Sequence, residues 1–178
     1  MQKITDSSQS QVLSSSWSQS LSYLSLLFLS IFLPSLINQQ AITGPLINAI
    51  LLIAAVQLGL SSAITIGLIP SVVALSRGLL PLALAPVVPF IMLSNALYVI
   101  LFAQFKNTSF SLAVLLAAVS KFALLHAVSQ GLLASLLPQQ FLSSASQMMS
   151  WPQLITALVG GLIAYLFLKG IGSKSLSK

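Results

Sequence analysis

Residues 44–102 read GPLINAILLIAAVQLGLSSAITIGLIPSVVALSRGLLPLALAPVVPFIMLSNALYVILF, and Arg77 is the only formal charge among them. A helix in water sets a charged face against its apolar stripe, whereas one that is apolar all round must be buried in protein or lipid. These runs have no charged face, so they call for a membrane. Gly44-Pro45, Leu58-Gly59-Leu60-Ser61-Ser62, Gly78 and the prolines Pro81, Pro86 and Pro89 mark where helices stop or start. They divide the stretch into spans at 45–60 and 61–76, an irregular proline-rich segment, and a span at 89–105. Such lengths sit at the short end of what crosses roughly 30 Å of hydrocarbon.

Only 4% of the 178 residues are charged and 57% are hydrophobic, with a mean hydropathy of +1.02. An ordinary soluble domain carries about 25% charged residues, so the expected class is one all-α, polytopic membrane domain. The net charge of +6 is scattered beside the apolar runs, which suits lipid headgroups and membrane topology and argues against a nucleic-acid partner. The absence of cysteine removes disulfides, thiolate metal sites and cysteine nucleophiles. Asp6 is the only Asp or Glu. Proton pumping through carboxylates, Walker-type ATP hydrolysis and glycoside cleavage all need acids inside the fold. Neither an enzyme nor a cofactor site is expected, and energy for active transport would have to come from another polypeptide.

Taken in order, residues 1–19 are rich in Ser and Gln and read as a polar tail. Further spans are expected at 20–37, 110–133 and 152–168, giving six within a transmembrane domain at 20–169, followed by a basic tail at 170–178. Six spans put both termini on one side. Lys3, Lys106, Lys169, Lys174 and Lys178 then face Arg77 alone, and the positive-inside rule puts the termini in the cytoplasm, across a cytoplasmic (inner) membrane. Residues 38–44, 77–88 and 138–150 become the outer connections.

A chain of this size with six short spans resembles the S components of energy-coupling-factor (ECF) transporters. The likeness is carried by GPLINAILLIAAVQLG after a first polar loop and by LIPSVVALSRGLLPLALAPVVPFIMLSNALYVILF. It implies a six-helix subunit that captures a vitamin or other micronutrient from outside. It also implies delivery by toppling against a transmembrane T component driven by two cytoplasmic ATPase subunits. Many S components carry Ala-x-x-x-Ala on the first helix for that docking; here no alanine precedes Ala41, and Ser18 and Ser22 have the spacing. The rival reading is a ligand-free membrane scaffold resembling the cell-shape protein MreD.

Polar residues inside apolar spans are the candidates for substrate binding. A charge at the bilayer centre costs about 2.5–3.5 kcal/mol on insertion scales and so faces protein, water or ligand; Lys121, a dozen residues into the fifth span, is the foremost case. Arg77 beside the proline segment has a guanidinium able to fork a carboxylate or phosphate, and the two cations lining one cavity would select an anionic substrate. His126 and Gln130, at i and i+4 with Ser129 beside them, give the fifth span a polar face, although His126 lies about 140° around the helix from Lys121. Without a second histidine or an acid, His126 has no metal site to complete. Asn95 and Tyr98 lie one turn apart in the fourth span. Asn48 in the second, and Gln153 with Thr156 in the sixth, are weaker cases. Trp151 suits an interfacial anchor or a stacking platform. The segment 79–89 is apolar but poorly helical, so it should cover a cavity or pack on protein as a lid together with residues 38–44.

Overall fold

A computed structural model describes residues 2–37, 39–78 and 80–173. Lys174 and Lys178 of the expected tail, Asn38 of the first connection and Leu79 of the expected lid lie outside the described residues. The chain is a bundle of helices: α1 (Gln2–Leu36), α2 (Gln40–Gln57), α3 (Leu60–Ser76), α4 (Val88–Phe105), α5 (Phe110–Gly131), α6 (Leu133–Leu136), α7 (Gln139–Met148) and α8 (Trp151–Gly170). A 3₁₀ turn, Leu82–Val87, precedes α4. No strand occurs among the described residues.

Five stretches are long and apolar enough to cross a membrane: Ser16–Leu36, Gln40–Gln57, Leu82–Phe105, Phe110–Gly131 and Gln139–Gly170. Leu60–Ser76 is a shorter apolar helix. Together they indicate a membrane-embedded protein.

The structure differs from the sequence expectation in three places, each with a physical reason. The N-terminal segment is helical and continuous with the first span. Neither glycine nor proline precedes Pro34 in it, so a helix nucleated in the apolar half propagates backwards without a breaker. α2 starts at Gln40 rather than at Pro45. The bond that Pro45 cannot donate would go to Ala41, whose position is exposed, so the freed carbonyl has access to outside partners. Finally, residues 139–148 form α7 where only a polar connection was expected.

Helix α2 is the centre of the main core. Ile47 and every residue from Ala49 to Ala55 is buried, and α1, α3, α4 and α8 all pack around it. Gly59 makes the reversal into α3 at φ +89, a left-handed conformation in which a Cβ would be strained. At one end of the bundle a second core joins the segment before α4 to α5, α6 and α7. Leu80, Leu84, Val87 and Val88 are buried there with Leu125, Val128, Leu133, Leu137, Ala145 and Met149. The proline-rich segment thus packs on protein, which meets the backbone requirement of irregular structure at membrane depth.

At the opposite end Lys106 donates from Nζ to the Ala55 carbonyl at 2.9 Å, capping the last turn of α2, where a cation also complements the helix dipole. Burial lowers its pKa from the ordinary lysine value. Lys106→Met is expected to remove about 1 kcal/mol, a Tm fall of about 2–4 °C for a chain of this size, read by intrinsic tryptophan fluorescence in detergent.

Candidate functional site

Lys121 stands at the twelfth position of the 22-residue α5 and is 3% exposed. Its Nζ donates to Asn48 Oδ1 of α2 at 2.7 Å and to Asn95 Oδ1 of α4 at 2.8 Å. The Asn95 amide is oriented by its other end, because Nδ2 donates to the Gly67 carbonyl of α3 at 2.9 Å. With the nitrogen engaged by α3, the oxygen turns to Lys121. A Cβ on Gly67 would stand at ordinary contact distance, 3.5 Å, from Asn95 Cβ, and tight only against Leu51 Cδ2 at 3.2 Å. One turn beyond Asn95, the Tyr98 ring lies with its centroid 5.4 Å from Lys121 Nζ, within cation–π range. The Tyr98 hydroxyl donates to the Ala157 carbonyl of α8 at 2.9 Å. Five helices therefore meet in one polar cluster.

Asn48 owes its position to α8. A Cβ on Gly160 would fall 2.6 Å from Asn48 Cβ, 2.8 Å from the Pro45 carbonyl oxygen and 3.0 Å from the Ala49 nitrogen, so α2 and α8 touch backbone to backbone. Close approach through small residues is how helices associate in lipid, where no hydrophobic drive separates protein from tails.

A cavity of about 180 Å³ opens beside this cluster. Lys121, Asn48 and Asn95 form its polar end; Ile47, Pro70, Leu80, Ile91 and Met148 supply apolar wall, and Gln40, Thr43, Ser71 and Gln153 further polar lining. Gln153 Nε2 donates to the Met148 carbonyl at 2.9 Å, which ties the end of α7 to the start of α8 beside the cavity. Pro34 and Pro70 both line it. Each lacks the N–H that would bond the carbonyl four residues back, so the α1 and α3 walls are broken ladders.

The electrostatics are one-sided. A lysine ammonium has three N–H donors and no acceptor; two are used by the asparagines. The lining includes no other charged residue, and the sole Asp or Glu of the chain, Asp6, precedes the Ser16–Leu36 stretch. Among the described residues no buried side-chain N or O lacks a hydrogen-bond partner.

Of the residues singled out from the sequence, Lys121, Asn95 and Gln153 line the cavity, and the weaker candidate Asn48 joins them. Tyr98 is fully buried behind Lys121 and does not reach the cavity lining. Arg77 is exposed at the end of α3 and does not line the cavity, so the expected pair of cations is not formed. His126 and Gln130 occupy the exposed face of α5, as the 140° offset from Lys121 requires. His126 stacks on Phe122, centroids 5.4 Å apart, and Phe122 on Trp151 at 5.0 Å. Trp151 is 64% exposed, on the outside of the bundle. Thr156 is buried; its hydroxyl donates to the Gln153 carbonyl at 3.2 Å, and its methyl side wedges against Gly44. Gln40, Thr43 and Ser71 were not singled out. Ser71 carried a faint signal, a hydroxyl directly after an intrahelical proline.

Comparison of the chain with protein-family models, with curated proteins and with solved structures gave no match. Among the described residues no group of three or more His, Cys, Asp or Glu is placed to hold a metal ion.

Proposed function

We propose that the chain is a six-span membrane subunit that captures a small organic solute, the S component of an ECF-type importer, with both termini in the cytoplasm. One observation carries the reading. Lys121 is held by two amides at the polar end of an otherwise largely apolar cavity, and a lysine in a bundle of this composition is costly unless it serves a ligand or a pathway. The span added to the five long stretches is Leu60–Ser76, whose 17 residues rise about 25 Å as α-helix, short enough to need local thinning of the bilayer. Lys106 follows the end of α4 and Lys169 lies in the last turn of α8, while Arg77 stands at the end of α3. The positive-inside rule then turns the Arg77 end, with its cavity, outward. A chain with one acid has no energy source of its own, which fits a division of labour with a T component and two ATPases.

Purification in mild detergent followed by mass spectrometry should recover a small organic molecule. A tagged chain should also bring down a transmembrane partner and two ATPase subunits. Recovery of cell-wall proteins instead, with no retained molecule, would favour the scaffold reading. Arg77→Ala is expected to leave retention within about twofold of wild type, because an exposed side chain away from the cavity contributes little there; a tenfold loss, measured by equilibrium dialysis of the recovered molecule, would put the site elsewhere.

A further inference from the structure

The cavity has one charged residue and no acid to offset it, and its walls change character from end to end. Resting on the capture reading above, we propose that the solute is a compact organic monocarboxylate. Its carboxylate takes the remaining N–H of Lys121, and its apolar body lies along Ile47, Pro70, Leu80 and Ile91. Three observations lead there. First, Lys121 Nζ uses two donors on Asn48 Oδ1 and Asn95 Oδ1, at 2.7 and 2.8 Å, both neutral oxygens; the third is left for an acceptor. Second, the charge count is one. Arg77 is outside the cavity and His126 is on the far face of α5, so a phosphate monoester would bring a second negative charge with no partner, whereas a carboxylate is matched. Third, the cavity of about 180 Å³ is too small for a long acyl chain and is lined mostly by aliphatic side chains beyond the polar end. Asn48, which lines the cavity beside Lys121, has a second role: with its Oδ1 taken by Nζ, its amide nitrogen is the donor offered to the second carboxylate oxygen.

The test uses matched pairs that differ only in the head group: benzoate and benzamide, nicotinate and nicotinamide, cyclohexanecarboxylate and its primary amide. Thermal shift and equilibrium dialysis on the purified full-length chain should give at least one carboxylate bound ten times or more tightly than its amide. At a hundredfold excess over Kd, mass action should raise Tm by about 5–10 °C. Asn48→Asp puts a fixed carboxylate of nearly the same shape beside Nζ. It should raise the Tm of the empty protein and abolish the carboxylate-induced shift. Lys121→Met, as a second variant, should lose the carboxylate preference while staying folded. A panel in which no carboxylate exceeds its amide, or an Asn48→Asp protein that binds the carboxylate as wild type does, overturns the proposal. The molecule recovered by mass spectrometry separates the two levels. A retained neutral, cationic or long-chain species overturns the monocarboxylate and leaves capture standing, whereas no retained molecule together with no binding removes both.

Discussion

Gly160→Ala is expected to be among the most damaging single-atom additions to this protein, lowering stability by about 3 kcal/mol or more, the upper range for overpacking. That corresponds to a Tm lower by about 6–12 °C for a chain of this size. The new methyl would meet the Pro45 carbonyl oxygen at 2.8 Å and the Ala49 nitrogen at 3.0 Å. Those are backbone atoms in the first turns of α2 and have no rotamer by which to retreat. The helices must part, and Asn48 leaves Lys121 as they do, so retention of the solute should fall with stability. Its neighbour gives a contrasting result. At Gly161 the added methyl meets only the side chain of Val114, so Gly161→Ala should be severe alone and largely rescued by Val114→Ala. No single side-chain truncation should rescue Gly160→Ala. Thermal unfolding of the four variants checks both halves, and equal rescue at the two positions would contradict the backbone contact.

Lys121→Met is expected to separate binding from folding. It removes the charged donor, and a hydrogen bond to a charged group is worth about 1.5–3 kcal/mol, so affinity for the retained solute should fall about tenfold to a hundredfold. Stability should move little. The variant loses two interhelical hydrogen bonds, each worth about 0.6 kcal/mol on average in membrane bundles, but it also relieves the desolvation of a buried cation. A folded Lys121→Met protein that retains the solute with wild-type affinity would make the lysine a packing residue. The same measurement on Tyr98→Phe should show retained binding, because the ring beside Nζ remains and only the bond to Ala157 is lost.

The helical spans were legible because hydropathy and the glycine and proline breaks report directly on burial and backbone geometry. Each of the six expected spans begins or ends within a few residues of an observed helix end. α7 was obscured by its Ser and Gln content, although Phe141, Leu142, Ala145 and Met148 recur with helical spacing, continued by the C-cap Met149, and Ala145 and Met149 are buried. The site was legible residue by residue but not as a constellation. A polar side chain in an apolar run announces itself, which is why Lys121 and Asn95 stood out, and periodicity alone put His126 on another face from Lys121. Which isolated polar groups share a hole depends on how each helix is rotated and how closely pairs approach. Arg77 and Asn48 exchanged importance for that reason: α3 ends with Arg77 exposed, while Gly160 draws Asn48 against α8. The sequence did contain that second fact, as a glycine pair in α8 whose partners only the packed bundle identifies.

The glycine pair also divides the bundle mechanically. α8 meets α2 through Gly160 and the α5 residue Val114 through Gly161, and it accepts the Tyr98 hydroxyl from α4, so α8 ties these three helices together. α1 is different in kind: only 11% of the Ser16–Leu36 window is buried, and Pro34 interrupts its ladder at the cavity wall. On the capture reading, enlarging the chamber to admit or discharge a solute therefore bends α1 and leaves Lys121 anchored on the helices that α8 joins.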